Sequence, residues 1–148
     1  MSLKIVNLSK RFKDTWVLRD VSFEVSKGEI FGLFGPTGAG KTTLLDSIRG
    51  RTVLNGGTVS YDGNDLTKLG TDARGFNVPE LSSSSIWSRI FGNGILDGRP
   101  NDALNQSLKT AKRLLVLDDT FCAIDASERE KGYAACREAV RSGDLSII

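Results

Sequence analysis

The sequence contains no histidine, and this absence excludes several kinds of active site. A Ser-His-Asp triad, a zinc site with histidine ligands and a histidine general base all need a residue that the chain does not have. The two cysteines, Cys122 and Cys136, are too few for a disulfide scaffold, and they favour a reducing, cytoplasmic location. A small secreted domain held by disulfides is therefore not expected.

Long apolar runs and a strong charge of one sign are also missing. No apolar run approaches the roughly 18 residues that span a bilayer, and the N-terminus has no apolar segment typical of a signal peptide. The 20 Lys and Arg side chains against 18 Asp and Glu give a net charge of +2, which predicts no nucleic-acid partner. With 148 residues, 39% of them hydrophobic, the chain is expected to form one globular domain.

Short apolar segments alternate with helical segments, which is typical of an α/β domain. One helix is predicted from about Lys41 to Arg49, ending at Gly50, and a second after Asp125, which can cap it. A third, weaker helix covers about Asn101 to Lys112. The predicted strands are Lys4–Leu8, Val21–Val25, Ile30–Phe34, Thr58–Tyr61, Gly75–Val78, Leu114–Leu117 and Leu145–Ile148.

The strongest motif lies between a predicted strand and the first predicted helix. It matches the pattern G-x-x-x-x-G-K-[ST] of phosphate-binding loops. Its glycines allow a tight turn that aims several backbone N–H groups at one phosphate chain, and the helix adds its positive end. Lys41 would supply a charge to the β and γ phosphates, and the Thr42 hydroxyl can ligate Mg²⁺. The nucleotide-binding residues are expected to be Gly35, Pro36, Thr37, Gly38, Ala39, Gly40, Lys41, Thr42 and Thr43.

A second part of the site is expected where the apolar run Leu114–Leu117 ends in Asp118 and Asp119. Sheets of α/β proteins bind their ligands at the carboxyl ends of the strands. Asp118 is predicted to hold the water shell of Mg²⁺, and Asp119 to orient or polarise the attacking water. An acidic pair after a strand is otherwise an ordinary helix cap or turn, but the phosphate-binding loop favours the functional interpretation.

These motifs occur in an order that resembles the nucleotide-binding domain of ABC transporters. Residues 18–30, leading into 35–43, are similar to the opening of that domain. Residues 56–66 resemble its hairpin after the first helix, and 118–125 resemble its Walker B motif and D-loop. The resemblance implies a P-loop NTPase core with a mostly parallel sheet and an N-terminal antiparallel part. It also implies ATP and Mg²⁺ as cofactors, a cytoplasmic ATPase that pairs head-to-tail, and a transmembrane transporter subunit as partner.

The same resemblance assigns roles to residues outside the loop. Phe12 falls where the family stacks an aromatic ring on adenine, with Trp16 as the alternative; either ring can instead be a packing residue. Glu80 falls at the Q-loop glutamine, where it would ligate the metal and take part in catalysis. A glutamate has no amide donor, so its signalling role is in doubt, and it can equally be a solvated loop acid.

The chain departs from the family in the middle of the sequence. Only 33 residues separate Glu80 from Leu114, a stretch in which family members usually hold a whole helical subdomain. The chain is therefore interpreted as one truncated domain, with a core of 1–79 and 114–148 and a vestigial helical region at 80–113.

Two family elements are not found at all. The signature Leu-Ser-Gly-Gly-Gln is absent, and its nearest relic, 96–100, contains the acidic Asp97. The switch histidine is absent, and the chain ends at Ile148 in an apolar run, which indicates a truncation. The sequence thus predicts an ABC-type ATP-binding domain with weak hydrolysis. The alternatives are a regulatory or degenerate module that does not hydrolyse ATP, or another P-loop enzyme such as a small kinase.

Overall fold

A computed structural model describes residues 2–70, 81–82, 104, 108–109, 114–115, 117–118, 125–142 and 145–148. Eight strands and two longer helices are defined in these parts of the chain. In chain order they are β1 (Ser2–Phe12), β2 (Thr15–Ser26), α1 (Lys41–Arg49), β3 (Gly56–Tyr61), β4 (Asn64–Asp65), β5 (Leu81–Ser82), β6 (Leu114–Leu115), β7 (Leu117–Asp118), α2 (Ala126–Ser142) and β8 (Ser146–Ile147).

The N-terminal half forms an antiparallel sheet with the strand order β2-β1-β3-β4. Apolar residues at every second position of β1, such as Leu3 and Ile5, are buried, while Lys4 between them is exposed, as one-sided burial of a strand requires. Strands β3 and β4 form a tight hairpin in which Ser60 pairs with Asp65. The hairpin expected over 56–66 is therefore confirmed.

The middle of β1 is bent where β3 comes close to it. Asn7 has a left-handed backbone with a φ of 50°. A side chain on Gly57, whose own φ is 84°, would collide with the Asn7 carbonyl, so glycine is required there. The hydroxyl of Ser22 accepts the Asn7 N–H at 2.8 Å and so satisfies the backbone group that the bend removes from the ladder.

Helix α1 has the bounds that the sequence predicts. Gly50 follows it with a φ of 80° and donates its N–H to the carbonyl of Ser47, while Arg51 N–H reaches back to Asp46. This is the usual way for a glycine to end a helix. The apolar face of α1 packs into the core cluster under the antiparallel sheet through Leu44, Leu45 and Ile48.

A set of short parallel strands forms the second layer, and β8 is at its centre. On one side Ile147 pairs with Ile30, and the Phe31 N–H donates to the Ile147 carbonyl at 2.8 Å. On the other side β8 pairs with β6, in the register Leu115 to Ile147, and the Leu117 N–H donates to the Ile148 carbonyl. Beyond them, β7 pairs with β5. The mostly parallel sheet expected from the sequence is present in these segments.

The predicted strand Ile30–Phe34 is wrong beyond its first residue. Ile30 forms one bridge, and 31–34 are not in a strand. The run is apolar enough for a buried strand, but β8 has only two residues and its pairing stops at Phe31. Phe31 and Leu33 still pack against the core, whereas Phe34 is 96% exposed.

Helix α2 begins as the sequence predicts. The carboxylate of Asp125 accepts the backbone N–H of Glu128 at 2.9 Å, which is the N-cap hydrogen bond.

Three positions of the weaker predicted helix are helical, namely Leu104, Leu108 and Lys109. The rest of that helix and the predicted strand Gly75–Val78 lie outside the described residues. Within the described residues, no helix is both long enough and apolar enough to cross a membrane.

Candidate functional site

The glycine-rich loop 35–40 connects the parallel layer to α1 and turns on two left-handed glycines. Gly38 has a φ of 82° and Gly40 a φ of 90°, and the Ala39 N–H closes a turn onto the Pro36 carbonyl at 3.2 Å. L-residues with a side chain rarely adopt such angles, so the motif's glycines are needed for this path. The loop ends at Gly40, whose carbonyl accepts the first helical hydrogen bond, from Leu44.

The hairpin of β1 and β2 packs directly on this loop. A Cβ atom on Gly40 would lie 3.0 Å from the carbonyl oxygen of Val17 and 3.1 Å from the Leu18 side chain. Val17 is therefore part of the site, although no local pattern in the sequence marks it. It comes to the loop through the folding of β2 against α1, and only that long-range contact identifies it.

A cavity of about 250 Å³ opens over the loop. Sites that enclose a drug-sized ligand usually measure about 300–1,000 Å³. The cavity therefore suits the phosphate chain of a nucleotide better than a whole nucleotide, whose base would lie outside it. Its lining consists of Val17, Thr37, Gly38, Gly40, Lys41, Thr42 and Thr43.

Lys41 supplies the positive charge of this cavity. Its Nζ donates hydrogen bonds to the carbonyl oxygens of Gly35 at 2.8 Å and Pro36 at 3.0 Å. These two bonds hold the ammonium against the loop. Among the described residues that line the cavity, Lys41 alone carries a formal charge. The ammonium, the loop amides and the N-terminus of α1 together favour an anion here.

Two oxygen-bearing side chains fit the expected magnesium site. Thr42 lies in the first turn of α1, lines the cavity and has an exposed side chain. Asp118 is the last residue of β7 and is largely buried. The segment at Ile30 and strand β6 run parallel to β8 on either side of it, and the Leu117 N–H of β7 donates to the Ile148 carbonyl, so the loop and Asp118 both follow the carboxyl end of this layer. In the described parts of the chain, no group of three or more acidic, Cys or His residues could hold a metal alone. Magnesium commonly takes one or two protein ligands together with substrate phosphates, so a site with Thr42 and Asp118 as its protein groups fits this ion.

The two aromatic candidates lie on the hairpin beside the cavity, not in its lining. Phe12 is 49% exposed and Trp16 is 41% exposed. In the β1–β2 register Phe12 pairs with Thr15 and Arg11 pairs with Trp16. Because neighbouring residues of a strand point to opposite faces, Phe12 and Trp16 lie on different faces of the hairpin. Only one of them can therefore approach a base from the side of the loop.

Several residues expected to act at the site lie outside the described residues. They are Glu80, Asp119 and the relic segment 96–100. Of the two cysteines, Cys136 is described: it lies on α2 and is buried in the core, and burial raises the pKa of its thiol to about 11. A thiol with so high a pKa is a weak nucleophile near neutral pH, which agrees with a packing role.

Comparison with known proteins places the chain among ATP-binding proteins of transporters. The ABC transporter family matches residues 18–92, about half of the chain, including the whole glycine-rich loop. The chain is 46% identical over 167 residues to the spermidine/putrescine import ATP-binding protein PotA of Protochlamydia amoebophila, covering 84% of this chain and 44% of that protein. It is 44% identical over 69 residues to the sulfate/thiosulfate import ATP-binding protein CysA of Bacillus cereus, covering 47% and 19% respectively. The chain spans less than half the length of these relatives.

Solved structures show the same fold at low identity. A nucleotide-free ATP-binding cassette from an ABC transporter aligns with a TM-score of 0.71 and 17% identity, covering 100% of this chain and 81% of that one. The ADP conformation of another such cassette aligns with a TM-score of 0.72 and 17% identity, covering 100% and 80%. The predicted α/β P-loop fold is thereby confirmed. With the family match across the loop, these findings show that the chain belongs to the ABC transporter family, as an ATP-binding domain.

Proposed function

We propose that this chain binds ATP through the loop residues Gly35 to Thr43. The observation that carries the proposal is the position of Lys41, whose ammonium is held by the loop carbonyls at the floor of a small open cavity. A phosphate chain in this cavity would meet the loop amides, the positive end of α1 and a charged donor at once. The family match over the same loop supports ATP as the nucleotide.

Mg²⁺ is proposed as the companion ion, held by the Thr42 hydroxyl and, through its water shell, by the Asp118 carboxylate. Glu80 is a further candidate ligand. When bound, the ion would offset the negative charge of the β and γ phosphates. The support for this proposal is the placement of Thr42 and Asp118 at one edge of the parallel layer.

Phe12 is proposed as the residue that stacks on adenine, with Trp16 as the alternative ring.

We further propose that the chain works with a transmembrane transporter subunit at the cytoplasmic face of a membrane. PotA and CysA are named as import ATP-binding proteins, and their similarity to this chain supports such a role. Pairing of two such domains head-to-tail is doubtful for this chain alone, because no signature sequence follows the loop.

The domain is proposed to be shortened, with a core of 1–79 and 114–148 and a reduced helical region at 80–113. The alignment with PotA supports the shortening, though it does not give the position of the boundaries. It extends over 167 residues yet covers only 84% of a 148-residue chain, so PotA contains residues in that stretch that this chain lacks.

Hydrolysis of ATP is proposed to be slow. Asp119 would orient the attacking water, but its carboxylate is one methylene shorter than the glutamate usual in the family. Glu80 replaces a glutamine that could donate a hydrogen bond to water. The second candidate function, a module that binds ATP without turnover, rests on these same departures.

Calorimetric titration of ATP and Mg²⁺ into the chain and its Lys41→Ala variant tests the binding site. Loss of a charge-assisted contact should weaken binding on the order of tenfold to a hundredfold. Lys4→Ala is the matched control, because Lys4 is exposed on β1 and remote from the loop in sequence. Equal affinities of Lys41→Ala and the parent chain would disprove the site. A preference for GTP would leave the loop assignment intact but remove the adenine-stacking role of Phe12.

A further inference from the structure

The exposed ring of Phe12 is contacted by a lysine that is anchored elsewhere. Phe12 is the last residue of β1, and with 49% of its surface exposed the core does not fix its ring. The Nζ of Lys10 lies 4.7 Å from the centroid of that ring. The same ammonium donates a 2.6 Å hydrogen bond to the carbonyl of Val53, which is 43 residues further along the chain. Lys10 thus ties the ring to a distant part of the backbone.

The carbonyl of Val53 belongs to a connection between α1 and β3 that is itself fixed to β1. Asn55 donates its N–H to the carbonyl of Ser9 at 3.0 Å. The side-chain oxygen of Asn55 accepts the backbone N–H of Arg11 at 2.8 Å. The segment that anchors Lys10 is therefore hydrogen-bonded to the backbone of β1 on both sides of Lys10.

We infer that Lys10 is a positioning residue for the base of the nucleotide. Its ammonium occupies one face of the Phe12 ring and leaves the opposite face for a purine. The inference rests on the proposed binding of ATP at the loop and names the residue that orients its aromatic contact. A cation over an aromatic face is attractive, and a base on an aromatic face adds stacking energy. A ring already fixed before binding loses less side-chain freedom when the base arrives.

A second cation–ring pair on the same hairpin provides an internal control. The guanidinium carbon of Arg11 lies 5.5 Å from the centroid of Trp16. Arg11 and Trp16 are paired across the hairpin, so they lie on the face opposite to Lys10 and Phe12. Removing the Arg11 cation deletes the same type of contact and the same charge at Trp16, the alternative ring, so a loss of ATP affinity in Arg11→Met in place of Lys10→Met would assign the base to Trp16 and overturn the inference.

The experiment compares ATP with tripolyphosphate, a probe that has the phosphates but no base. Both are titrated with Mg²⁺ into the parent chain, Lys10→Met and Arg11→Met. Lys10→Met is expected to weaken ATP binding by about twofold to tenfold and to leave tripolyphosphate binding unchanged. Arg11→Met is expected to change neither affinity. Lys10→Arg keeps the cation and should restore most of the ATP affinity.

The double variant Lys10→Met with Phe12→Ala separates positioning from simple attraction of charge. If Lys10 acts through the ring, it contributes nothing once the ring is gone, so the double variant should bind ATP as weakly as Phe12→Ala alone. Equal loss of ATP and tripolyphosphate in Lys10→Met would overturn the inference, because Lys10 would then act on the phosphates. Unchanged ATP binding in Lys10→Met would overturn it as well.

Two further outcomes are distinguishable. If the parent chain does not bind ATP, the proposed function and the inference fail together, whereas full ATP affinity in Lys10→Met removes the inference alone.

Thermal melting without nucleotide checks that each variant is folded. Should Lys10→Met not fold, Lys10→Gln takes its place, since an amide can still donate to the Val53 carbonyl but brings no cation to the ring. The same selective loss of ATP affinity is expected of it.

Discussion

Val17 and Gly40 are in contact across the junction between the hairpin and the glycine-rich loop. A Cβ atom on Gly40 would lie 3.0 Å from the Val17 carbonyl oxygen, so the hairpin would have to move by a few tenths of an ångström to admit a side chain. The φ of 90° at Gly40 independently favours glycine, because this backbone angle is unfavourable for any residue with a side chain. Packing and backbone conformation therefore favour the same glycine, at the residue where α1 begins.

Gly40→Ala should lower the free energy of unfolding and abolish ATP binding. The left-handed backbone accounts for about 1–2 kcal/mol, and the collision with the hairpin for about 1–3 kcal/mol more. Gly63→Ala is the matched control, since Gly63 has a similar φ of 78° but nothing within 4 Å of its added Cβ. Urea unfolding of the two variants measures the difference. Equal destabilisation would show that the contact with Val17 has no energetic consequence.

The isolated chain should stay monomeric in the presence of ATP and Mg²⁺. Head-to-tail closure in this family places each nucleotide between the loop of one domain and the signature of the other. This chain lacks that signature, and Asp97 in the nearest relic would repel a polyphosphate. Light scattering with and without nucleotide measures the mass. A tight ATP-dependent dimer would mean that another segment replaces the signature.

ATP hydrolysis by the chain should be very slow, well below about 1 s⁻¹, the lower end of common enzyme turnover. Asp119, proposed to orient the attacking water, is one methylene shorter than the glutamate usual in the family, and a displacement of ~1 Å can reduce a rate on the order of 100-fold. Steady-state phosphate release measures turnover, with Lys41→Ala as the control for contaminating ATPases. A rate near 1 s⁻¹ that the Lys41 change abolishes would contradict the prediction, and Asp119→Asn would then test the catalytic carboxylate.

Cys136 should resist thiol reagents at pH 8 in the folded chain. Burial raises the pKa of its thiol to about 11, so the reactive thiolate is scarce at that pH. The neutral thiol favours the folded state at pH values below the unfolded pKa, and that contribution is lost as the pH rises through about 11. A Cys122→Ser variant leaves Cys136 as the single thiol, and its labelling in buffer is compared with that in urea. Equal rates in the two conditions would show that Cys136 is accessible in the folded chain.

The sequence predicts those features that depend on neighbours along the chain. The bounds of α1 follow from the loop before it and Gly50 after it, and the start of α2 follows from the capping carboxylate of Asp125. The left-handed glycines of the loop are likewise implied by the motif alone. Each of these is a local preference, expressed within about one helical turn.

Features that depend on distant partners could not be predicted. The apolar run Ile30–Phe34 has the composition of a buried strand, but whether it pairs is decided by the length of β8, far along the chain. The contact of Val17 with the loop and the bond from Lys10 to Val53 also join segments that no local pattern connects. The catalytic roles of Glu80 and Asp119 stay predictions, since both lie outside the described residues.

The central position of β8 has a consequence for the order in which the chain acquires its structure during synthesis. Ile30, before the glycine-rich loop, is made early, yet its pairing partner in β8 is made much later: Gly28, close to Ile30, donates its N–H to the hydroxyl of Ser146, 118 residues further along the chain. Contacts over such separations form slowly, because a large loop must close before they contribute. On the ribosome, the antiparallel hairpins can form first, while the junction that joins the loop to the Asp118 strand waits for β8 to emerge. A pause in translation before Leu145 would thus leave a partly folded chain with both halves of the proposed nucleotide site synthesised but unjoined.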